Sequence, residues 1–461
     1  MDLFNQDLWI KIKPLLIAVL SLFYMFVLFN LSGIASAADN KGLKSSANYP
    51  EVEFAVVSDI HLFDINNNVN HPYYSHYNEQ DREILGMSDE ILERTVDNIR
   101  KKEMDFVVIT GDLTDIGDFQ SHYLLANILQ QLQDEGIKVY VIPGNHDGFI
   151  VEEEGVQKNN GNRNIISPGD FTNIYNNFGY KEAIYRDDNS LSYVVDPIAG
   201  LWLILIDSCI YDKDRYHVTG GRIKETTNNW IIDILKKAHN KNKSLMGFMH
   251  HGILEHFKGQ QKFFSEYLVA DGEQLASEFA SNNLQFVFTG HNHALDIVKQ
   301  EFKSGEKGET NFLYDIETSS LIGYPNAYRL IKINENQELY IKTEYIKELP
   351  SFAGDFSNYA KNYVKNRIKD MVSVKLSKFK VKEKDKEKIY EQVSAAILAH
   401  YEGNETPPEN LKIDGINFWS RIVMHFYKEL INGLYQDLEP EDINIKVDLE
   451  TGEWEGYKPG Q

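Results

Sequence analysis

Short apolar runs that each end in a cluster of Asp, His or Asn are the feature that most constrains this fold. The clearest is Val139–Ile142, which is followed by Pro-Gly and then by Asn145, His146 and Asp147. A β-branched run that stops at Pro-Gly is typical of a buried strand entering a tight turn. In an α/β sheet, functional side chains collect where the parallel strands end. The run therefore predicts a core strand whose closing turn carries chemistry.

Strands and helices alternate along the first part of the chain. Apolar runs predict strands at Glu51–Val57, Asp105–Thr110 and Val139–Ile142, and amphipathic patterns predict helices at Ser88–Lys102 and Phe119–Glu135. Such a β–α–β–α–β series is typical of a sheet with helices packed against it. The following region repeats the alternation, with strands at Ser192–Val195, Leu201–Ile206, Ser244–Met249 and Leu284–Phe288, helices at Thr226–Asn240 and Gly272–Asn282, and a hairpin of Tyr328–Ile333 with Glu338–Ile346.

Five predicted strand ends carry a polar cluster. In chain order these are Asp59 with His61, Asp112 with Asp115, Asn145 with His146, His250 with His251, and His291 with His293. Each cluster alone has an ordinary explanation, such as a solvated turn or a helix cap. Five in succession at strand ends instead indicate one site, and its carboxylate, imidazole and amide donors suit Zn, Mn, Fe, Co or Ni. Even seven ligands are too many for one ion, so we expect two ions that share a carboxylate.

This order of motifs resembles the calcineurin-like metallophosphoesterase family. Its pattern is Asp-x-His, Gly-Asp-x-x-Asp, Gly-Asn-His-Asp, a His and Gly-His-x-His, and it is complete here between residues 59 and 293. The resemblance implies an α/β fold, a four-layer αββα sandwich, with a binuclear metal centre. It implies one ion held by Asp59, His61, Asp112 and His293, and a second held by Asp112, Asn145, His250 and His291. By the same analogy His250 rather than His251 is the ligand.

The expected chemistry is phosphoester hydrolysis with two divalent ions, drawn from Mn, Fe, Zn or Co. Such ions lower the pKa of bound water, so a metal-bridging hydroxide attacks the phosphoester near neutral pH. His146 is not needed as a ligand, and we expect it to act as a catalytic group at the leaving oxygen. The resemblance assigns Asp115 to orienting His146. Purple acid relatives place a tyrosine ligand near this motif, but Asp115-Ile116-Gly117 offers none, so no ferric-tyrosinate colour is expected.

The motifs indicate the reaction class more sharply than the substrate. The Gly-Asp-Leu-Thr-Asp form with Gly-Asn-His-Asp is similar to bacterial cyclic-nucleotide phosphodiesterases, so we expect a substrate like 3′,5′-cyclic AMP. The alternatives are a secreted phosphomonoesterase or nucleotidase that scavenges phosphate, and a non-catalytic binding protein on the same fold. Asn145, His146, and Tyr73 and Tyr74 of the polar loop 63–80 are candidate substrate contacts. The other explanation of that loop is a disordered, Asn-rich insertion.

The N-terminus has the pattern of a targeting segment. Lys11 and Lys13 precede the apolar run Pro14–Leu31, and Ala35-Ser-Ala37 offers small residues for cleavage. Residues 1–37 are therefore predicted to be a signal peptide, or an N-terminal anchor with membrane contact confined to residues 14–31. Either outcome predicts a secreted or envelope-tethered protein. The formal charge of −22 argues against binding to a nucleic-acid polymer, and a single cysteine excludes an intrachain disulfide.

Composition changes divide the rest of the chain. A linker over residues 38–50 precedes the predicted metallophosphoesterase domain, residues 51–348. Beyond it we expect an α-helical C-terminal domain at 349–438 and an acidic, loosely held tail at 439–461. The predicted helices of that domain are Lys361–Val372, Lys384–His400 and Phe418–Leu438. The two alternatives for the function of these helices are dimerisation and covering the active face.

Overall fold

The structure is a computed structural model that describes residues 48–65, 84–148, 165–211, 218–304, 309–377, 381–407 and 416–459. The predicted leader and the loop residues Tyr73 and Tyr74 lie outside these ranges. Within the described ranges, no helix combines the length and the apolar character needed to cross a membrane.

Fourteen strands and nine α-helices make up the described part of the chain. The strands are β1 Val52–Val57, β2 Phe106–Thr110, β3 Lys138–Ile142, β4 Tyr185–Arg186, β5 Tyr193–Ile198, β6 Leu201–Ile206, β7 Ser244–Met249, β8 Phe286–Thr289, β9 Asp296–Ser304, β10 Glu309–Glu317, β11 Ala327–Ile333, β12 Glu338–Tyr345, β13 Asn444–Asp448 and β14 Trp454–Gly456. The helices are α1 Ser88–Arg100, α2 Phe119–Asp134, α3 Pro168–Ile174, α4 Glu225–Asn240, α5 Gln260–Phe263, α6 Gly272–Ser281, α7 Phe356–Ser377, α8 Glu383–Tyr401 and α9 Phe418–Leu434.

The strands form two seven-stranded mixed sheets. The first has the order β14-β13-β12-β11-β1-β2-β3, and the second has the order β4-β5-β6-β7-β8-β10-β9. β1, β2 and β3 run parallel to one another in the first sheet, and β6, β7, β8 and β10 run parallel in the second. Their carboxyl ends therefore supply the edge on which the polar clusters lie.

The two sheets pack face to face between outer layers of helices. Phe54 of β1 meets Phe248 and Phe288 of the second sheet with ring centroids 6.2 and 5.7 Å apart. On the outer side of the first sheet, α1 and α2 join the same core, while α4 and α6 cover the outer face of the second sheet. The predicted four-layer αββα arrangement is confirmed, because helices cover the outer face of each sheet and the two inner faces pack together.

Each helix is held in position by one stripe of apolar residues that packs against the core. In α1 the residues Ile91, Leu92, Val96 and Ile99 are buried against the first sheet, and the intervening charged residues face solvent. The start of α2 is fixed by Asp118, whose Oδ1 accepts a hydrogen bond from Ser121 N at 3.0 Å. These local signals agree with the predicted helices to within two residues at each end.

The C-terminal helices α7, α8 and α9 pack around a hydrophobic cluster that includes Ile368, Ile389 and Leu434. α8 and α9 begin within one residue of their predicted starts, but α9 ends at Leu434 and not at Leu438. α7 extends five residues beyond its prediction at each end. The boundary between the 51–348 and 349–438 domains stays a prediction, because the described residues between 48 and 459 belong to one compact unit.

The prediction of a loose tail at 439–461 is wrong for most of that segment. Residues Asn444–Asp448 pair antiparallel with β12, and Trp454–Gly456 pairs in turn with β13. Ile445 and Val447 alternate with polar neighbours and are fully buried, which is the period expected for a strand with one face on the core. The strand was not recognised from the sequence because the segment is acidic and because its partner strand lies far away in the sequence. The hairpin β9–β10 was missed for a similar reason, since its strands carry many charged residues.

Candidate metal centre

The predicted ligands all lie at the carboxyl ends of parallel strands. Asp59 and His61 follow β1, Asp112 follows β2, Asn145 follows β3, His250 follows β7, and His291 with His293 follows β8. Of these seven side chains, six are less than 6% exposed and His293 is 8% exposed. The two sheets thus bring together residues that are up to 234 positions apart, from 59 to 293.

The backbone at these positions is held in an unusual conformation. Five of the seven predicted ligands have positive φ angles, with Asp59 at 51°, His61 at 41°, Asp112 at 45°, His291 at 75° and His293 at 67°. The left-handed region costs a residue other than glycine about 1–2 kcal/mol, and such strain concentrates at functional sites. The conformation turns successive side chains towards one point instead of to alternate faces of a strand.

The first group of ligand atoms comes from Asp59, His61 and His293, which lie within 4.8 Å of one another. Asp59 Oδ1 is 3.2 Å from His293 Nε2 and 3.8 Å from His61 Nε2. The other carboxylate oxygen, Asp59 Oδ2, accepts hydrogen bonds from Ser58 Oγ and from the backbone N–H of His291. One oxygen therefore fixes the carboxylate, and the other is directed at the two imidazoles.

The second group comes from Asp112, His250 and His291. Asp112 Oδ2 lies 3.3 Å from His250 Nε2 and 3.6 Å from His61 Nε2 of the first group. Asn145 Oδ1 joins this group at 3.0 Å from His250 Nε2. Asp112 thus lies between the two groups, which is the position that the shared carboxylate was predicted to take.

Hydrogen bonds select which imidazole nitrogen each histidine offers. His250 Nδ1 lies 2.9 Å from the carbonyl oxygen of Thr110, and His291 Nε2 lies 3.2 Å from that of Glu266. A carbonyl can only accept, so these nitrogens carry hydrogens, and the opposite nitrogens, His250 Nε2 and His291 Nδ1, are the ones left to bind a cation. His251 differs, because its Nδ1 contacts Ser208 Oγ at 2.8 Å and its Nε2 contacts Thr219 O at 3.0 Å. The structure therefore brings His250 to Asp112 and directs His251 elsewhere.

The electrostatics of the cluster keep both carboxylates ionised. Burial raises the pKa of Asp59 and of Asp112, but the charges of the neighbouring imidazoles outweigh burial and hold both well below the ordinary range. Burial lowers the pKa of His250, but the charge of Asp112 outweighs it and raises the value to about 9. For His291, burial and the charges of His251 and His250 keep the pKa well below its ordinary value. Negative charge is thus concentrated at Asp59 and Asp112, where a cation is best stabilised.

His146 is the most accessible histidine at this edge, with a side chain that is 22% exposed. Its Nδ1 lies 3.0 Å from the carbonyl oxygen of Asp115, and its ring centroid is 4.7 Å from that of His61. The Asp115 carboxylate is nearer to His61 Nδ1, at 3.4 Å, than to His146 Nδ1, at 3.9 Å. Asp115 therefore contacts both histidines, with its carbonyl on His146 and its carboxylate on His61.

Asp147 is a positioning residue that the sequence did not single out, although it is the last residue of the Gly-Asn-His-Asp motif. Its buried carboxylate accepts the backbone N–H groups of Gly144, Leu113 and Thr114 at 2.8, 3.1 and 2.9 Å. These bonds tie the loop after β3 to the loop after β2. Burial and the charge of Asp112 raise the pKa of Asp147 to about 7, against the lowering effect of those N–H groups.

Glycines allow the loops to approach each other this closely. At Gly144 an added Cβ would overlap the backbone nitrogen and the carboxylate of Asp112. At Gly111, which has a φ of +95°, it would lie 2.6 Å from His250 Nδ1. The motif glycines are therefore required by contacts with the ligands themselves.

The comparison with known families agrees with this geometry. The sequence pattern of the calcineurin-like phosphoesterases matches residues 52–295, which is more than half of the 461-residue chain. The chain belongs to this family. A protein of Pseudoalteromonas sp. (strain SM9913), named a probable cyclic nucleotide phosphodiesterase, is 20% identical over 308 residues, covering 64% of this chain and 94% of the relative.

Solved structures similar to this one include two phosphatases. A dimetal phosphatase from Danio rerio aligns with a TM-score of 0.44 at 15% identity, covering 64% of this chain and 97% of that one. A purple acid phosphatase from yellow lupin (Lupinus luteus) aligns with a TM-score of 0.40 at 11% identity, covering 65% of this chain and 53% of that one.

The residues present fit the divalent metal ions that the family implies. Asp59 Oδ1 is buried and receives no hydrogen bond from the residues that the structure describes, although His293 Nε2 lies 3.2 Å away. Asp59 Oδ1 and one nitrogen each of His61 and His293 lie within 4.8 Å of one another, an arrangement that an oxygen- and nitrogen-binding cation satisfies. With its family, the chain is a metal-dependent phosphoester hydrolase.

Proposed function

We propose that this chain is an exported phosphodiesterase that uses two divalent ions and acts on cyclic nucleotides such as 3′,5′-cyclic AMP. The observation that carries the two-ion proposal is the position of Asp112 Oδ2, between His61 of one ligand group and His250 of the other. In this assignment Asp59, His61, Asp112 and His293 hold one ion, and Asp112, Asn145, His250 and His291 hold the second. The identity of the ions is left among Mn, Fe, Zn and Co.

Two such ions, when bound, would lower the pKa of bound water and neutralise charge on the phosphoryl oxygens. The protein's own contribution at the leaving oxygen comes from His146. Because His146 Nδ1 is held by the Asp115 carbonyl, Nε2 is the nitrogen available to donate a proton to the departing alkoxide. The Asp115 carboxylate lies 3.9 Å from His146 Nδ1 and 3.4 Å from His61 Nδ1, so it lies beside both rings.

Two observations support a nucleotide as the substrate. The relative from Pseudoalteromonas carries a name for cyclic-nucleotide hydrolysis and is matched over 94% of its length. In this chain, the partly exposed Tyr267 ring lies 4.9 Å from the His291 ring, at a tilt of 40°. An aromatic ring next to a phosphate-binding centre is suited to stacking on a nucleobase. Tyr73 and Tyr74 stay further candidates for the same contact.

The export part of the proposal is supported by the leader alone. Basic residues, an apolar segment and the small residues Ala35 and Ala37 form the signal-peptide pattern. When the full chain is expressed in a bacterial host, mass spectrometry of the exported protein should show a new N-terminus at Ala38. A chain that starts at residue 1 and stays in the membrane fraction would indicate an uncleaved anchor, and one that stays in the cytosol would contradict export.

The substrate proposal is tested by hydrolysis assays on the purified chain with Mn²⁺. We expect turnover of bis-p-nitrophenyl phosphate and 3′,5′-cyclic AMP to exceed that of p-nitrophenyl phosphate, and a chelator to abolish all three. A preference for the monoester would instead assign the chain to the phosphatases or nucleotidases. If metal is bound but none of the three is hydrolysed, the cyclic-nucleotide proposal fails and the binding-protein alternative gains support.

A further inference from the structure

One predicted metal ligand, His291, is oriented by residues that belong to neither sheet. Its Nε2 donates to the backbone carbonyl oxygen of Glu266, at 3.2 Å. The ring of the next residue, Tyr267, lies 4.9 Å from the His291 ring at a tilt of 40°. The hydrogen bond leaves Nδ1 as the nitrogen that can bind a cation, and the ring contact limits rotation of the imidazole. The place of residues 266 and 267 therefore decides where His291 points.

The segment 257–267, which carries this carbonyl, has few buried side chains of its own. Only Phe257 and Gln260 are buried within it. Its one α-helix, α5, is four residues long, and helices this short are not stable by themselves. Contacts with other elements must therefore hold the segment in place. The exposed residues of the segment are Lys258, Gln261, Lys262, Ser265 and Glu266.

The C-terminal helices supply such contacts. Phe257 is 1% exposed and belongs to the hydrophobic cluster around which α7, α8 and α9 pack, and Phe263 and Phe264 pack against that cluster. The Phe257 ring lies 6.1 Å from the Phe264 ring, which in turn lies 6.0 Å from the ring of Tyr267. A row of aromatic rings thus connects the C-terminal helices to His291.

Gly433, in the last turn of α9, lets this helix lie directly against the segment. A Cβ added there would overlap the carbonyl oxygen of Lys258 and would lie 3.6 Å from Phe257 Cδ2. The helix and the segment therefore touch backbone to backbone, which only glycine allows. One turn earlier, Glu429 Oε2 lies 2.6 Å from Lys262 Nζ, but an ion pair this exposed contributes little. The glycine contact is the tighter constraint on the segment.

We propose that α9 positions the metal ligand His291 through the segment 257–267, so that the C-terminal helices tune metal binding without supplying a ligand. Gly433 is then a positioning residue, because it sets how near the segment lies to α9 and thereby where the Glu266 carbonyl lies. This role differs from dimerisation and from covering the active face. It rests on the assignment of His291 as a ligand in the proposed function, and it is independent of the substrate.

The test is the affinity of full-length Gly433→Ala for Mn²⁺, measured by equilibrium dialysis at a temperature well below its Tm. The added methyl group forces α9 and the Lys258 backbone apart, and the displacement reaches the Glu266 carbonyl. Affinity should fall by about 10- to 100-fold, as when the partner that orients a metal-binding histidine is changed. Alanine favours a helix more than glycine does, so the substitution does not weaken α9 itself.

Gly169→Ala is the matched control. Gly169 also lies in a helix, α3, but its added Cβ would make only an ordinary contact, 3.7 Å from Ser167 Oγ. This variant should keep the Mn²⁺ affinity of the unchanged chain. With Co²⁺ in place of Mn²⁺, the visible absorption bands report the geometry of the ligands, and they should change in Gly433→Ala alone. A lower Tm of Gly433→Ala in chelator, with affinity and bands unchanged, would show a purely structural role and overturn the proposal.

His291→Ala separates a failure of this proposal from a failure of the metal assignment. If His291→Ala binds Mn²⁺ more weakly and Gly433→Ala does not, the positioning role is wrong and the ligand assignment stands. If His291→Ala keeps its affinity, both are wrong. If Gly433→Ala does not fold, Phe257→Leu carries the same comparison, since it keeps a buried apolar side chain and removes the ring that contacts Phe264.

Discussion

At the scale of single residues, the metal centre separates side chains that hold cations from the one that acts on the substrate. The Asp112 carboxylate contacts both ligand groups, whereas His146 reaches this carboxylate through its backbone N–H, at 2.8 Å, and keeps a partly exposed ring. Substitution of Asp112 should therefore remove bound metal, whereas substitution of His146 should leave the metal in place and remove activity.

His146→Ala is expected to keep its bound metal and to lose turnover, by about 10²- to 10⁴-fold, the usual contribution of a proton donor. Asp112→Ala should lose both metal and turnover, because both ligand groups depend on the same carboxylate. The measurements are metal content and kcat for bis-p-nitrophenyl phosphate. Unchanged kcat in His146→Ala would contradict its catalytic role, and full metal content in Asp112→Ala would contradict the bridge.

His122 should make the fold sensitive to acid. Its buried ring contacts Tyr175 and Thr114, and burial lowers its pKa from 6.5 to about 3. The unfolded chain takes up a proton below about pH 6.5 and the folded chain does not, so protonation favours unfolding. The free energy of unfolding should fall between pH 6.5 and 3 by up to about 1.4 kcal/mol per pH unit from this group.

Denaturant titrations of the unchanged chain and of His122→Gln across this pH range measure the slope of the free energy of unfolding against pH. The variant should be less stable near pH 7 but should lose less stability on acidification. His239→Gln, at a partly exposed position of α4, is the control for the loss of a histidine outside this buried contact. Parallel slopes for the unchanged chain and His122→Gln would contradict the assignment.

At the scale of elements, the strand-end loops are set by glycines whose neighbours are the ligands. Gly111→Ala places a Cβ 2.6 Å from His250 Nδ1, the atom that orients this imidazole against the Thr110 carbonyl. We expect metal affinity to fall by about 10- to 100-fold, as when the partner that orients a metal-binding histidine is changed.

Gly136→Ala is the matched control for that prediction. Gly136 has a φ of +88°, close to the +95° of Gly111, but no heavy atom lies within 4 Å of its added Cβ. It should lose about 1–2 kcal/mol of stability through backbone strain and keep its metal affinity. Equal metal affinities in the two variants would show that the contact with His250 is unimportant.

The elements also show why some features were predictable from the sequence and others were not. The strand at Val139–Ile142 and the turn after it are specified by adjacent residues. Both the strand and the polar cluster could therefore be identified from the sequence. The side-chain hydrogen bonds of Asp147 could not, since they depend on how closely the loops after β2 and β3 approach.

At the scale of the whole molecule, the C-terminal segment is part of the first sheet. A chain that ends at residue 438 lacks β13 and β14, so it loses the burial of Ile445 and Val447 and exposes the edge of β12. Burying one such side chain contributes about 1.5–3 kcal/mol, and an open strand edge promotes association. This truncation should lower Tm and produce larger species in size-exclusion chromatography.

The control for the truncation is a chain that ends at residue 457, which keeps both strands. It should match the unchanged chain in Tm and in elution volume. If the chain that ends at 438 also matches it, the tail contributes nothing to the fold, as its acidic composition had suggested.

The pairing of β1 limits how early the first sheet can be completed while the chain is being synthesised. Val52 pairs with Ile333, so one of the two neighbours of β1 does not exist until residue 333 has been synthesised. Contacts between such distant positions form slowly, because closing the long loop costs conformational entropy before the contacts contribute any stabilisation. Asp59 and His293 come from different sheets, and the set of seven predicted ligands is complete only once residue 293 has been synthesised. Metal uptake at the predicted centre is therefore a late step, after most of the chain has left the ribosome.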